Sequence, residues 1–214
     1  MKKKLVLGTA NLIDNYGILK NSLDEKNFLE CLKKLNNKNY NYIETSLNYK
    51  NSYKILKNKN FTKFNITLKT NLLVNEILKI KNLFKNKKQK KLYCVMLHDP
   101  NKLLLRKKKE VYKSLVDLKK ENICSNIGIS FYDFSHIKKI LSKYNFDIIQ
   151  FPLNLFDQRI LESKYKKIIF KNKTIIQVRS IFLQGLLLNK KHKFSDTKEF
   201  KNYYNWVKKS GKES

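Results

Sequence analysis

The chain has 214 residues, with 47 Lys and Arg against 17 Asp and Glu, and a formal net charge of +30. That length supports one substantial core, and no linker-like stretch or short repeat divides it, so a single domain over residues 1–214 is expected. No run approaches the ~18 apolar residues of a membrane span. The cysteines are odd in number and lack CxxC or zinc spacing, which argues against a disulfide framework or a metal centre.

The lysine excess admits two readings. Lysines that neutralise phosphates release counterions, so a basic nucleic-acid-binding protein is one alternative. Lysine, however, greatly outnumbers arginine, the residue of bidentate phosphate and base-edge recognition. The lysines also spread along every predicted helix, densest at Lys85–Lys91. A solvated lysine-rich surface with no specific nucleic-acid partner is the expectation. "MKKKLVLG" imitates the start of a secretion signal, but its apolar run is too short. Cys31, Cys94 and Cys124 lie in or beside apolar runs and read as core thiols of a soluble, cytoplasmic protein.

Seven short, β-branched apolar runs follow in chain order: 4–10, 41–46, 65–70, 92–98, 125–130, 146–151 and 174–180. Most are apolar at successive positions, the pattern of strands buried on both faces in a parallel sheet. Helical periods lie between them. Phe28, Leu29, Leu32 and Leu35 share one face after Asp24 and Glu25. Val111, Leu115 and Leu118 form a second stripe, and Ile137, Ile140 and Leu141 a third. Phe200, Tyr203, Tyr204 and Val207 form the last, before a C-capping Gly211.

Sustained strand–helix alternation means an α/β fold, either doubly wound or of (β/α)8 TIM-barrel type. No GxGxxG turn follows the first strand. Strand after strand ends on a chemically capable residue: Glu44, Lys69, His98, Ser130, Gln150 and Arg179. In a barrel those ends open onto one mouth, where active sites form. The barrel reading is therefore preferred, and it is incomplete: about seven strands are present and the eighth is missing.

"YIETSLNYKNSYKILK" joins a strand ending near Glu44 to a tyrosine just past it, Tyr49. A phenol of pKa near 10 donates a proton poorly at neutral pH unless a cation stabilises its phenolate. Lys69 could supply the cation, Glu44 could hold it charged and aimed, and His98 could orient a substrate carbonyl. Such a set would protonate an oxygen gaining negative charge during hydride reduction. Taken singly, each has a plainer reading as a packing tyrosine, a surface lysine, a capping carboxylate or a loop-closing histidine.

The wider sequence resembles the aldo-keto reductase family, in its bacterial branch. "LVLGTANLIDNYGI", "YIETSLNYKNSYKIL", "ITLKTNL", "VMLHDP", "GISFYDF", "IIQFPLNLFD" and "VRSIFLQGLLL" fall in the family's order and spacing over essentially the whole chain. The resemblance implies NADPH- or NADH-dependent reduction of a small aldehyde or ketone substrate. It implies Tyr49 as proton donor, Lys69 and Glu44 as its supporting pair, and His98 as the substrate-orienting histidine. It further implies cofactor contacts at Ser130, Gln150, Arg179, Ser180, Phe182 and Gly185. Glu44 stands where the family has Asp, Lys50 replaces a glycine, Phe131 replaces a frequent asparagine, and Arg179 replaces a frequent aromatic. The resemblance also implies a C-terminal truncation, because an eighth strand and final helix that grip the adenosine end are not present. A catalytically impaired remnant of the family is the corresponding alternative.

Overall fold

The structure, a computed structural model, describes residues 5–10, 25–37, 40–49, 56–57, 63–84, 91–170, 174–189 and 193–210. The seven expected strands form, all but β3 slightly reset at their ends: β1 (Val6–Gly8), β2 (Tyr42–Ser46), β3 (Asn65–Thr70), β4 (Leu92–Leu97), β5 (Cys124–Ser130), β6 (Ile148–Pro152) and β7 (Ile175–Arg179). They make one sheet in sequence order, every neighbouring pair parallel.

The sheet curls. In a flat sheet with strands ~4.8 Å apart, β2 and β7 would lie about 24 Å from one another. Instead the Gln177 side chain of β7 donates a 2.6 Å hydrogen bond to Glu44 of β2. The architecture is an α/β half-barrel consistent with an incomplete (β/α)8 barrel, and among the described residues β1 and β7 do not pair.

Alternation along each strand divides the two faces. Ile43, Leu68, Val95, Leu97, Ile127, Ile129, Ile149 and Phe151 point outward into the main core. Helices cover them: α1 (Glu25–Asn37) contributes Phe28 and Leu32, and α2 (Val74–Phe84) contributes Ile80 and Leu83. From α3 (Lys108–Lys120) come Leu115 and Leu118, from α4 (Ile137–Leu141) Ile137 and Ile140, and from α5 (Ser163–Ile169) Ile169. The residues of α1, α3 and α4 belong to stripes read from the helical period, those of α2 and α5 do not, and in all five helices burial of one apolar face holds the helix to the sheet. Leu35's side chain, Asp24 and Gly211 lie outside the described residues. Cys94 and Cys124 are buried, but Cys31 is exposed; it occupies the solvent side of α1, so the expectation of three core thiols fails there.

Two local devices fix loops at the mouth. Glu76, in the first turn of α2, accepts hydrogen bonds from the Asn71 and Leu73 amides at 3.0 and 3.1 Å and from the Thr70 hydroxyl at 3.0 Å. A carboxylate on these amides satisfies donors that a helix start leaves unpaired, and it suits the helix dipole. It also lets Leu72 hold a left-handed φ of 56° just after β3. At the far end of the chain, α6 (Lys198–Lys209) seats Phe200 against Phe156, ring centroids 5.0 Å apart. Its Tyr203 and Tyr204 hydroxyls donate to the Leu187 and Asn189 carbonyls at 2.9 and 3.0 Å, tethering the segment after β7.

The concave face is lined by residues of the opposite parity. Cys94, Met96 and Ile148 pack there, and Gly128 makes room for them. Above this apolar floor the inner positions turn polar.

Candidate active site

The polar layer begins at Glu44 and Lys69. Register pairs Glu44 with Thr67 and Ser46 with Lys69, so Lys69 stands one inward position nearer the mouth than Glu44. Its ammonium leans back to within 2.5 Å of Glu44 Oε1, and Lys69 is only 3 % exposed. The second carboxylate oxygen accepts from the side-chain amides of Gln150 and Gln177, the latter at 2.6 Å. One carboxylate thus takes three donors from three other strands.

Tyr49 follows β2 in a tight turn closed by a 3.0 Å bond from its amide to the Ser46 carbonyl. The turn returns the ring toward β3, and Lys69 Nζ lies 6.0 Å from its centroid. Burial alone pulls the Lys69 ammonium below its ordinary value. Glu44 and Tyr49 together outweigh that desolvation and hold the pKa above the ordinary 10.5. Lys69 is therefore a fixed cation at neutral pH.

His98 sits just past β4, its amide bonded to the Thr70 carbonyl at 2.9 Å. Desolvation first, and the Lys69 charge second, lower its pKa to about 4, so the ring is neutral at pH 7. Its Nδ1 is 3.2 Å from the Ser46 hydroxyl and 3.4 Å from the Asn48 amide nitrogen. An amide NH2 only donates, so Nδ1 accepts and the ring proton resides on Nε2. The free N–H is then available to a ligand oxygen.

The remaining expected site residues fall into two groups. Ser130 and Gln150 are fully buried, and the Ser130 hydroxyl donates to Gln150 Oε1 at 2.9 Å. Arg179 lies higher, donating to the Phe131 carbonyl at 3.0 Å with its guanidinium carbon 3.3 Å from the centroid of the Tyr132 ring. Ser180 and Gly185 adopt positive φ, as do Leu183 and Gln184 between them, and Phe182 is exposed. Next to this region a cavity of about 370 Å³ opens, lined by His98, Asn48, Asn71, Tyr132, Asp133 and His136 among others.

A model of the aldo/keto reductase family matches residues 4–211. The chain belongs to that family. Solved structures agree on the fold. The glycerol dehydrogenase of Gluconobacter oxydans superposes with a TM-score of 0.67 at 15 % identity, over 96 % of this chain and 74 % of that one. The holo form of an aldo-keto reductase from Bacillus halodurans gives 0.65 at 17 %, over 86 % and 64 %. An aldo-keto reductase of Bombyx mori in complex with NADP gives 0.58 at 14 %, over 82 % and 62 %. No curated protein matches the sequence.

As an aldo-keto reductase barrel, the molecule brings Glu44, Lys69, Tyr49 and His98 to one end of one sheet. Three neighbours of this group were not singled out from the sequence. Ser46 and Asn48 fix the His98 tautomer, and Ser46 was legible as the inward residue two after Glu44. Gln177 lies mid-strand and had no sequence signal. Among the described residues no helix is long and apolar enough to cross a membrane, and no group of three or more His, Cys, Asp and Glu is arranged to hold a metal ion.

Proposed function

We propose that this aldo-keto reductase reduces a small aldehyde or ketone to the alcohol, using NADPH or NADH and delivering the proton from Tyr49. The observation that supports this reading most is the buried Lys69 ammonium held between Glu44 and the Tyr49 ring.

The reduced nicotinamide supplies hydride to the carbonyl carbon when it is bound. Everything else falls to the chain. As the carbonyl oxygen gains charge, the neutral His98 donates from Nε2 and orients it. Tyr49 gives its hydroxyl proton to that oxygen. The Lys69 ammonium, 6.0 Å from the ring centroid, favours the phenolate that remains. Glu44 keeps the ammonium in place. Because donors and charges are fixed before reaction, little reorganisation is required as charge develops.

The open part of the expected cofactor set suits a phosphate-bearing ligand. Arg179 presents a planar cation already stacked on Tyr132. Beside it the left-handed residues from Leu183 to Gly185 form a turn closed on itself, the Leu183 and Gly185 amides donating to the Ser180 and Phe182 carbonyls at 3.0 and 2.9 Å, so the cation of Arg179 is the group that favours an anion. Arg179, Ser180, Phe182 and Gly185 would hold the cofactor there. Ser130 and Gln150 lie beneath, joined to each other, so a carboxamide engages them only as that link adjusts.

Incubation with nicotinamide cofactor deuterated at the transferable position and a panel of small aldehydes and ketones tests the reading. Deuterium on the carbinol carbon of the product is expected. Its absence with every carbonyl, under conditions where the folded chain binds the cofactor, would overturn the reading.

A further inference from the structure

Glu44 carries one methylene more than the aspartate that the family resemblance implies at this position, and the structure contains a counterpart to that extra length. Its Oε1 meets Lys69 at 2.5 Å while Oε2 reaches to the opposite wall, to Gln150 on β6 and to Gln177 on β7 at 2.6 Å. Gln177 stands 133 residues from Glu44 in sequence, and its side-chain amide donates to the far oxygen of that carboxylate.

We propose that Gln177 is a positioning residue for proton delivery: its side-chain amide fixes Glu44 Oε2, so that Oε1 is presented to Lys69 and Lys69 to Tyr49. The proposal rests on the carbonyl-reduction reading for its kinetic part only. A glutamate has one more rotatable bond than an aspartate, and an untethered carboxylate in a polar layer has several resting places. The Gln177 amide, anchored on a strand, selects one of them. Gln150 performs part of the same task, but its carbonyl is engaged by Ser130, which ties it to the floor of the mouth. Gln177 is the donor that comes from the last strand and so couples the pair to the curvature of the sheet.

The test is a double-mutant cycle. Gln177→Met keeps volume and removes the donor. In the otherwise native chain it is expected to lower kcat about tenfold with KM within about twofold, since small misplacements of a catalytic group cost that much or more. The alkaline limb of the pH–kcat profile is expected to move to lower pH, because Lys69 loses the steady contact that keeps it charged. In a Glu44→Asp background the shorter carboxylate contacts Lys69 without reaching Gln177, and Gln177→Met is expected to change neither kcat nor the limb further. An equal effect in both backgrounds, or none in either, overturns the proposal. The Lys69 side chain is also titrated by NMR without cofactor or substrate, its signal assigned by loss in Lys69→Met. A lower Lys69 pKa in Gln177→Met than in the native chain is expected, and an unchanged value overturns the proposal. That readout decides the matter even if the chain reduces no carbonyl, which would overturn the functional reading alone. If Gln177→Met does not fold, Gln177→Asn is compared in the same way, with a smaller shift of the same sign.

Discussion

Lys69 and Glu44 face each other diagonally across β3 and β2, with Nζ 2.5 Å from Oε1, at a level where both are shielded from water. Direct cross-strand neighbours would have met side by side. The diagonal leaves the ammonium one step nearer the mouth, where it reaches Tyr49, and the carboxylate one step nearer the floor, where the glutamines reach it.

Removing one partner leaves the other charge buried. Lys69→Met is expected to destabilise the fold by about 3 kcal/mol and to abolish reduction, whereas Lys69→Met with Glu44→Gln is expected to recover most of the stability and none of the activity. Urea unfolding of the native chain, both single variants and the double variant measures this. Equal stability of Lys69→Met and the native chain would contradict it.

His98 gives the fold a pH dependence of definite sign. In the fold its pKa is lowered by desolvation and by Lys69 to about 4, against 6.5 for the ordinary side chain. Between those values the unfolded chain binds a proton that the folded chain refuses, so stability rises with pH across the window and falls on acidification. The imidazole is partly open to solvent, so the loss from 6.5 down to 4 is expected to stay within about 2 kcal/mol. His98→Gln is expected to flatten this part of the stability curve, as followed by denaturant unfolding at successive pH values.

Gly128 is a packing requirement of the concave floor. A Cβ there would stand 3.0 Å from Cys94 Sγ, 3.0 Å from Met96 Cε and 3.1 Å from the Ile148 carbonyl. The methionine terminus can swing aside, but the carbonyl belongs to β6 and cannot. Gly128→Ala is expected to cost about 1–3 kcal/mol, read as a lower midpoint in thermal or urea unfolding.

The strands are legible because parallel strands covered on both sides need successive apolar residues, as in "LYCVML". The polar residues at or near the ends of six of the seven runs then mark the mouth. Two helices escaped. In α2 Val74 and Leu78 are exposed while Glu76 turns inward, which blurs the apolar stripe. In α5 only seven residues are helical, too few for a period to declare itself. Gln177 was invisible for a different reason. A mid-strand amide says nothing until the sheet curls, and its partner lies across that curvature. Cys31 departs from the core-thiol expectation because a thiol beside apolar residues on a helix can still face water.

The most direct measurement is the turnover of the purified chain with NADPH and a reactive small aldehyde, compared with Tyr49→Phe at equal folded concentration. Loss of the hydroxyl is expected to lower kcat by about 10²–10⁴ while cofactor affinity stays unchanged. A Tyr49→Phe protein that reduces the aldehyde at the native rate would show that the phenol beside Lys69 delivers no proton.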